Sequence, residues 1–247
     1  MTTGPGVTIR LADRGVRVVL LDIEGTTTPI AFVHDVLFPF ARARAAAFLA
    51  AHAGDPEVGT AVAELVAEHA ADLARGEAPP PVDGGLAPYV HWLTDRDRKS
   101  TGLKRLQGLV WEAGYQAGAL HGQVYPDVAP ALARWHAAGV AIAIYSSGSE
   151  LAQRRLFEST LPGDLTRYLS GFFDTRVGGK RDAASYARIA ERLGHAPAAI
   201  LFLSDVTAEL HAARDAGLQV ALSLRPGNPP QPDAAAFETF ETFDAIG

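Results

Sequence analysis

Two acidic side chains stand two residues apart where an apolar run stops, in Val18-Val19-Leu20-Leu21-Asp22-Ile23-Glu24-Gly25-Thr26-Thr27-Thr28-Pro29. A carboxylate in such a place can attack phosphorus and carry the phosphoryl group as an acyl phosphate, which splits a very slow hydrolysis into two easier steps. A second carboxyl group can protonate the leaving oxygen and later activate water. Either can also hold Mg²⁺, which binds through one or two carboxylates plus phosphate oxygens. An arbitrary Asp-x-Glu is usually a turn acid followed by a helix-start acid. The Gly and Thr cluster behind a buried strand favours the chemical reading here.

Three further clusters end apolar runs. Ser146-Ser147-Gly148 follows Val140–Tyr145, where small hydroxyl residues and backbone amides at a helix N-terminus can close on a phosphate. The plainer reading is a capping box made by Ser147 and Glu150. Val177-Gly178-Gly179-Lys180-Arg181-Asp182 supplies a mobile point charge suited to phosphate or to a carboxylate nucleophile, with Arg176 and Arg181 as rivals to Lys180. Asp205 follows Ile200–Leu203 and is either a Mg²⁺ ligand or an N-cap. Glu209, four residues on, shares its helix face and is placed to orient Asp205 or a metal-bound water. The eight His residues are scattered, with no metal-spaced pair.

The elements that must position these residues follow from periodicity. Strand-like runs at 16–23, 140–145, 200–203 and 218–224 alternate with helical patterns at 127–138, 150–157, 183–193 and 206–216, the last stopped by Gly217. That alternation predicts an α/β fold with a Rossmann-like parallel sheet. In such sheets ligands bind beyond the carboxyl ends of the strands. The stretch from Ile30 to about Val124 breaks the rhythm with helices at 35–52, 56–75 and 102–119 and no convincing strand. It reads as an inserted all-helical cap domain (31–124), with 1–30 and 125–247 forming the core. The Pro-rich tail from Pro226 reads as an extended segment packed on that core.

At 247 residues the chain can build one large domain or a core plus a smaller one, and its 48% apolar content is ordinary for a globular protein. The net charge of −6, with no dense Lys/Arg run, argues against nucleic-acid and anionic-membrane partners. A small phosphorylated partner needs only a local cluster of cations and amides. The absence of Cys excludes disulfides, thiolate zinc sites and cysteine nucleophiles. No apolar signal segment is seen in Met1–Gly15, and Val16–Ile23 is far shorter than the roughly 20 residues that span a bilayer. The expectation is a cytoplasmic protein.

The first motif resembles that of the haloacid-dehalogenase-like phosphatases. Glu at the second acidic position, followed by Gly-Thr-Thr-Thr-Pro-Ile, is similar to the enolase-phosphatase family of methionine salvage. The resemblance extends through Ile30–Pro39, Asp97–Lys104, Gln107–Tyr115 and Val124–Asp127. It implies enolisation of 2,3-diketo-5-methylthiopentyl-1-phosphate, then loss of phosphate to leave the acireductone 1,2-dihydroxy-3-keto-5-methylthiopentene. It further implies Asp22 as nucleophile and Mg²⁺ ligand. Glu24 would be acid/base and contribute to the metal site, with its backbone carbonyl as one candidate contact. Ser146 and Ser147 would bind the substrate phosphate, Lys180 would contact the substrate, and Asp205 would hold the single Mg²⁺. A monomer is implied, with a closing cap whose candidates for the methylthio tail are Phe32, Val33, Leu103 and Trp111. The base that removes the carbon-bound proton is not visible. A generic small-molecule phosphatase of the same superfamily is the second reading, and a non-catalytic binding protein on the same fold the third.

Overall fold

A computed structural model of the chain describes residues 8–96 and 98–247. Asp97, part of one resemblance run, lies outside the described residues, as do the first seven residues of the Met1–Gly15 stretch. The chain divides into two compact units, one built from the stretch up to Phe32 together with His121–Gly247, the other from Val33–Leu120.

In the first unit, β1 (Val18–Leu21) leads into a short α1 (Ile30–Phe32). The second unit opens with a π turn at Val33–Leu37, then α2 (Phe38–Ala51), α3 (Pro56–Ala74), α4 (Ala87–Thr94) and α5 (Thr101–Gln116). The chain then returns to the first unit through α6 (Val128–Ala137), β2 (Ala141–Tyr145), α7 (Glu150–Glu158), β3 (Gly171–Phe173), α8 (Ala183–Leu193), β4 (Ile200–Ser204), α9 (Thr207–Asp215), β5 (Gln219–Ser223) and β6 (Thr239–Phe240).

Among the described residues the strands form one sheet in the order β3-β2-β1-β4-β5-β6, every pair parallel. The strand order reverses beside β1, so the crevice for a ligand opens between the ends of β1 and β4. Every residue of β1 and β4 is buried. That is why their sequences read as unbroken apolar runs rather than alternating ones. One face of the sheet packs Val18, Leu20 and Phe202 against Tyr186 and Ile189 of α8 and Leu210 of α9.

The second unit has its own core, with Ala41, Ala45, Leu65, Tyr89, Leu93, Leu106 and Val110 packed between helices. Local rules set its boundaries. Asp55 caps α3 by accepting from the Glu57 and Val58 amides, and Ser100 caps α5 by accepting from Leu103. Leu103 belongs to this core, so packing accounts for it. Trp111 donates to the Leu37 carbonyl at 2.7 Å. No described helix is long and apolar enough to cross a membrane.

Three elements differ from the sequence reading. α4 carries no long periodic signal because it has only eight residues and starts at Ala87-Pro88. β3 is three residues beginning with Gly, and β6 is two residues within the tail read as extended. Such short edge strands exist only because a neighbouring strand supplies their hydrogen bonds.

Candidate active site

The parallel register decides which strand ends meet. Leu21 pairs with Ile144 of β2 on one side and with Leu203 of β4 on the other. The residues just past these positions, Asp22, Ser146 and Asp205, therefore lie at one edge of the sheet, although 183 positions of sequence separate the first from the last.

Asp22 is 2% exposed. Its backbone amide donates to the Leu203 carbonyl at 3.0 Å, which continues the ladder one residue past β1. Its Oδ1 accepts from the Ile23 amide at 2.7 Å and lies 2.6 Å from Lys180 Nζ; its Oδ2 accepts from Ser204 Oγ at 3.0 Å. The following loop turns sharply: the Thr26, Thr27 and Thr28 amides all donate to the Ile23 carbonyl, and Gly25 adopts φ +68. A side chain on Gly25 would overlap the Asp205 carboxylate, so glycine is needed here for both reasons.

Lys180 also reaches Glu209, with Nζ 2.7 Å from Oε2. Burial works against the lysine's charge, but Asp22 and Glu209 prevail and raise its pKa, so it stays an ammonium ion. Ser204 Oγ lies 3.0 Å from Glu209 Oε2 as well. A hydroxyl has one proton, so it serves one of the two carboxylates at a time. Lys180 is the constant bridge between them.

Lys180 is shared by the carboxylates of Asp22 and Glu209, with Asp205 nearby. Burial first, and then the charge of Asp22, push Asp205 up to about 7. The same two causes raise Glu209, with Lys180 pulling the other way.

The sequence candidates differ in how closely they are joined. Lys180 contacts Asp22 directly, and Asp205 stands beside it across Gly25. Glu24 is half-buried at the next turn, and its charge is felt at Asp205. Ser146, 2% exposed, ends β2 with its amide donating to the Phe173 carbonyl at 3.2 Å and its Oγ accepting from the Gly148 amide at 3.2 Å, and the exposed Ser147 follows it. The rivals of Lys180 point elsewhere: Arg176 pairs with Asp174 at 2.9 Å, and Arg181 is exposed.

Two helix-start readings are corrected. The N-cap of α7 is Ser149, which accepts from the Ala152 amide at 3.2 Å, so Ser147 and Glu150 form no capping box. The N-cap of α9 is Val206 with no side-chain cap, which leaves the Asp205 carboxylate unspent on capping. The Glu209 carboxylate contacts Lys180 and Ser204, partners that the sequence reading did not give it.

Several positioning residues carry no local motif. Tyr145 Oη donates to the Gly178 carbonyl at 2.8 Å, Tyr186 Oη to the Lys180 carbonyl at 2.6 Å and Arg188 Nε to the Val177 carbonyl at 2.7 Å. These bonds hold the lysine loop while its side chain reaches Asp22. Gly178, at φ +134, leaves no room for a Cβ beside Ser185 and Arg188. Gly178→Ala is expected to cost about 1–3 kcal/mol of stability through backbone strain. Thermal unfolding measures this, and an unshifted Tm would show that the loop accommodates the methyl group.

Comparison with known proteins follows the same lines. Residues 16–217 match the haloacid dehalogenase-like hydrolase family. The chain is 54% identical over 230 residues to the Enolase-phosphatase E1 of Synechococcus elongatus, covering 92% of this chain and 96% of that one. It is 48% identical over 242 residues to a probable bifunctional methylthioribulose-1-phosphate dehydratase/enolase-phosphatase of Vitis vinifera, covering 93% of this chain and 47% of that one. Among solved structures, the UTR4 protein of Saccharomyces cerevisiae superposes with a TM-score of 0.74 at 33% identity, covering 93% of this chain and 99% of that one.

Proposed function

Because the chain belongs to the enolase-phosphatases within the haloacid dehalogenase-like hydrolases, we propose that it enolises 2,3-diketo-5-methylthiopentyl-1-phosphate and then hydrolyses the phosphate ester, with Asp22 as nucleophile. The observation that carries this reading is the setting of the Asp22 carboxylate: buried at the switch point of the sheet, with Lys180 Nζ at 2.6 Å and Ser204 Oγ at 3.0 Å.

An Asp22 carboxylate oxygen attacks phosphorus as the bond from phosphorus to the ester oxygen breaks. The phosphoryl group passes to Asp22 as an acyl phosphate. Glu24 gives its proton to the departing oxygen. Glu24 then takes a proton from a water molecule that attacks the same phosphorus, which frees inorganic phosphate and restores the Asp22 carboxylate. Ser146 and Ser147, with the amides at the start of α7, hold the phosphate oxygens from the neighbouring strand end. Lys180 stays charged throughout, holds the Asp22 carboxylate in place and offsets phosphate charge.

The residues fit one Mg²⁺. Asp205 and Asp22 are two carboxylates at neighbouring strand ends, each a hard oxygen donor, with the Glu24 carbonyl nearby as a third oxygen. Among the described residues no three His or acidic side chains converge as a ready metal cage. Mg²⁺ keeps several waters and takes oxygens from its substrate. When bound, the ion neutralises phosphate charge and stabilises an enolate oxygen. The base that takes the carbon-bound proton is left unassigned. The helical unit Val33–Leu120 takes the role of a cap domain, and the enzyme acts as a cytoplasmic monomer.

The test is an anaerobic ultraviolet time course on the diketone phosphate with Mg²⁺, read together with free phosphate. The conjugated enediol and phosphate are expected to appear together. EDTA should abolish both signals and added Mg²⁺ should restore them; indifference to chelator would remove the metal from the reading. Phosphate release from simple esters with no enediol from the diketone would instead make the protein a generic phosphatase of the same superfamily.

A further inference from the structure

The nucleophile loop is gripped from behind by the chain that follows β5. Ser223 Oγ donates to the Gly25 carbonyl at 2.9 Å and Arg225 Nε to the Thr26 carbonyl at 3.1 Å. Asn228 Nδ2 donates to the Gly25 carbonyl at 2.8 Å and to the Ser223 carbonyl at 3.3 Å. Two carbonyl oxygens on one side of the Asn228 amide require its NH₂ there, which settles the direction of the other end.

Asn228 Oδ1 consequently points away from those carbonyls. It is shut off from solvent and has no hydrogen-bond partner. It lies 3.0 Å from the point where a Cβ on Gly25 would stand, a point that the Asp205 carboxylate also crowds. An amide oxygen and a carboxylate thus face the same small space beside the Gly25 backbone. Left bare, that arrangement is repulsive, and an unmet buried acceptor costs stability. A donor between the two oxygens removes both problems, and a water held by a cation on Asp205 is such a donor.

We propose that Asn228 is a positioning residue for the divalent cation at Asp205, its Oδ1 accepting a hydrogen bond from a water of the cation's shell while its Nδ2 holds the Gly25 carbonyl in place. The inference rests on the metal-dependent reading above. It explains why an Asn stands here. An Asp has no donor for the Gly25 carbonyl, and a Ser does not reach both sides. It also explains how one residue couples the nucleophile loop to the metal-binding strand end: outer-shell partners of this kind commonly change metal affinity 10–100-fold.

The test uses the full chain without substrate and Mn²⁺ as the probe, with binding followed by electron paramagnetic resonance. Asn228→Ala removes the donor to Gly25 and the acceptor facing Asp205, whereas Ser223→Ala removes only a donor to Gly25. Asn228→Ala is expected to weaken Mn²⁺ binding about 10–100-fold. Ser223→Ala should stay close to wild type, and Asn228→Asp, which keeps an acceptor, should retain binding. In turnover, the half-saturating Mg²⁺ concentration of Asn228→Ala should rise by the same factor, with KM for the phosphate ester unchanged at saturating Mg²⁺. If Asn228→Ala does not fold, Asn228→Ser, whose shorter side chain withdraws from Asp205, carries the same expectation. Equal weakening in the Asn228 and Ser223 alanine variants would reduce Asn228 to a loop anchor and overturn the proposal. So would wild-type affinity in Asn228→Ala. Wild-type protein that binds no Mn²⁺ would overturn both this proposal and the metal-dependent reading beneath it.

Discussion

Asp22→Asn is expected to reduce phosphate release by at least about 10⁴-fold, the scale on which loss of a covalent nucleophile is felt when the rest of a site survives. The substitution keeps the volume of the side chain and an oxygen for the Ile23 amide, which now donates to Oδ1 at 2.7 Å. Lys180 keeps Glu209 as a partner at 2.7 Å, so the cation is not left alone in a buried place. Circular dichroism should therefore be unchanged while turnover vanishes. An amide cannot form the acyl phosphate and reverse it by hydrolysis as a carboxylate does, so the loss falls on the chemical step rather than on binding. Residual turnover within tenfold of wild type would exclude Asp22 as nucleophile.

Lys180→Met is expected to damage stability and activity together. Nζ lies 2.6 Å from Asp22 and 2.7 Å from Glu209, and both carboxylates are close to fully buried. Removing the ammonium leaves two acids sharing the single proton of Ser204 Oγ. Breaking a buried charge network by deleting one partner typically costs about 3–5 kcal/mol. Glu209, already raised by burial and by Asp22, loses the group that pulls it back and rises further. A carboxyl whose folded pKa lies above its unfolded value costs nothing below the unfolded pKa and progressively more as pH rises toward the folded one. The deficit should accordingly be small in acid, grow through neutrality and be full only above the raised Glu209 pKa. Tm measured against pH for both proteins reads this directly. Phosphate release should fall by about 10³-fold or more at neutral pH, since one of the two acids is then protonated and the phosphate loses a cation. A variant with wild-type Tm at every pH would show that Lys180 is not what holds the two acids together.

Much of the site was legible before any coordinates, and particular residues show why. Asp22 and Asp205 follow strands that are buried on both faces, and such strands appear in the sequence as short unbroken apolar runs. The polar residue that stops each run is conspicuous, and in a parallel sheet all such ends share one edge. Ser146 was found by the same reasoning. The lysine loop was harder, since the strand before it, β3, is only three residues long. Glu209 could be placed on a helix face but not given a partner, because that partner comes from a loop almost thirty residues earlier.

Ser204, Tyr145, Tyr186, Arg225 and Asn228 were not legible as site residues at all. Ser204 and Tyr145 read as ordinary strand positions and Tyr186 as the apolar face of a helix. Asn228 sits in a Pro- and Gly-rich turn that reads as loop punctuation. All but Tyr186 act through a backbone carbonyl or a carboxylate far away in sequence, and Tyr186 reaches the Lys180 carbonyl from six residues on; spacing carries no trace of such contacts. The same limit hid β3 and β6, whose three and two residues take their structure from a neighbouring strand.

The sequence by itself determined the class of the fold, the polar residues that end its buried strands and, through runs shared with a known family, the chemistry to expect of them. These depend on local apolar patterns, turn residues and contiguous motifs. Only the tertiary structure decided that β1 lies between β2 and β4, that Lys180 bridges Asp22 and Glu209, and that Asn228 faces Asp205 across Gly25. Those facts follow from strand order and from the packing of loops distant in sequence, where a hydrogen bond is set by position in space and leaves no period along the chain.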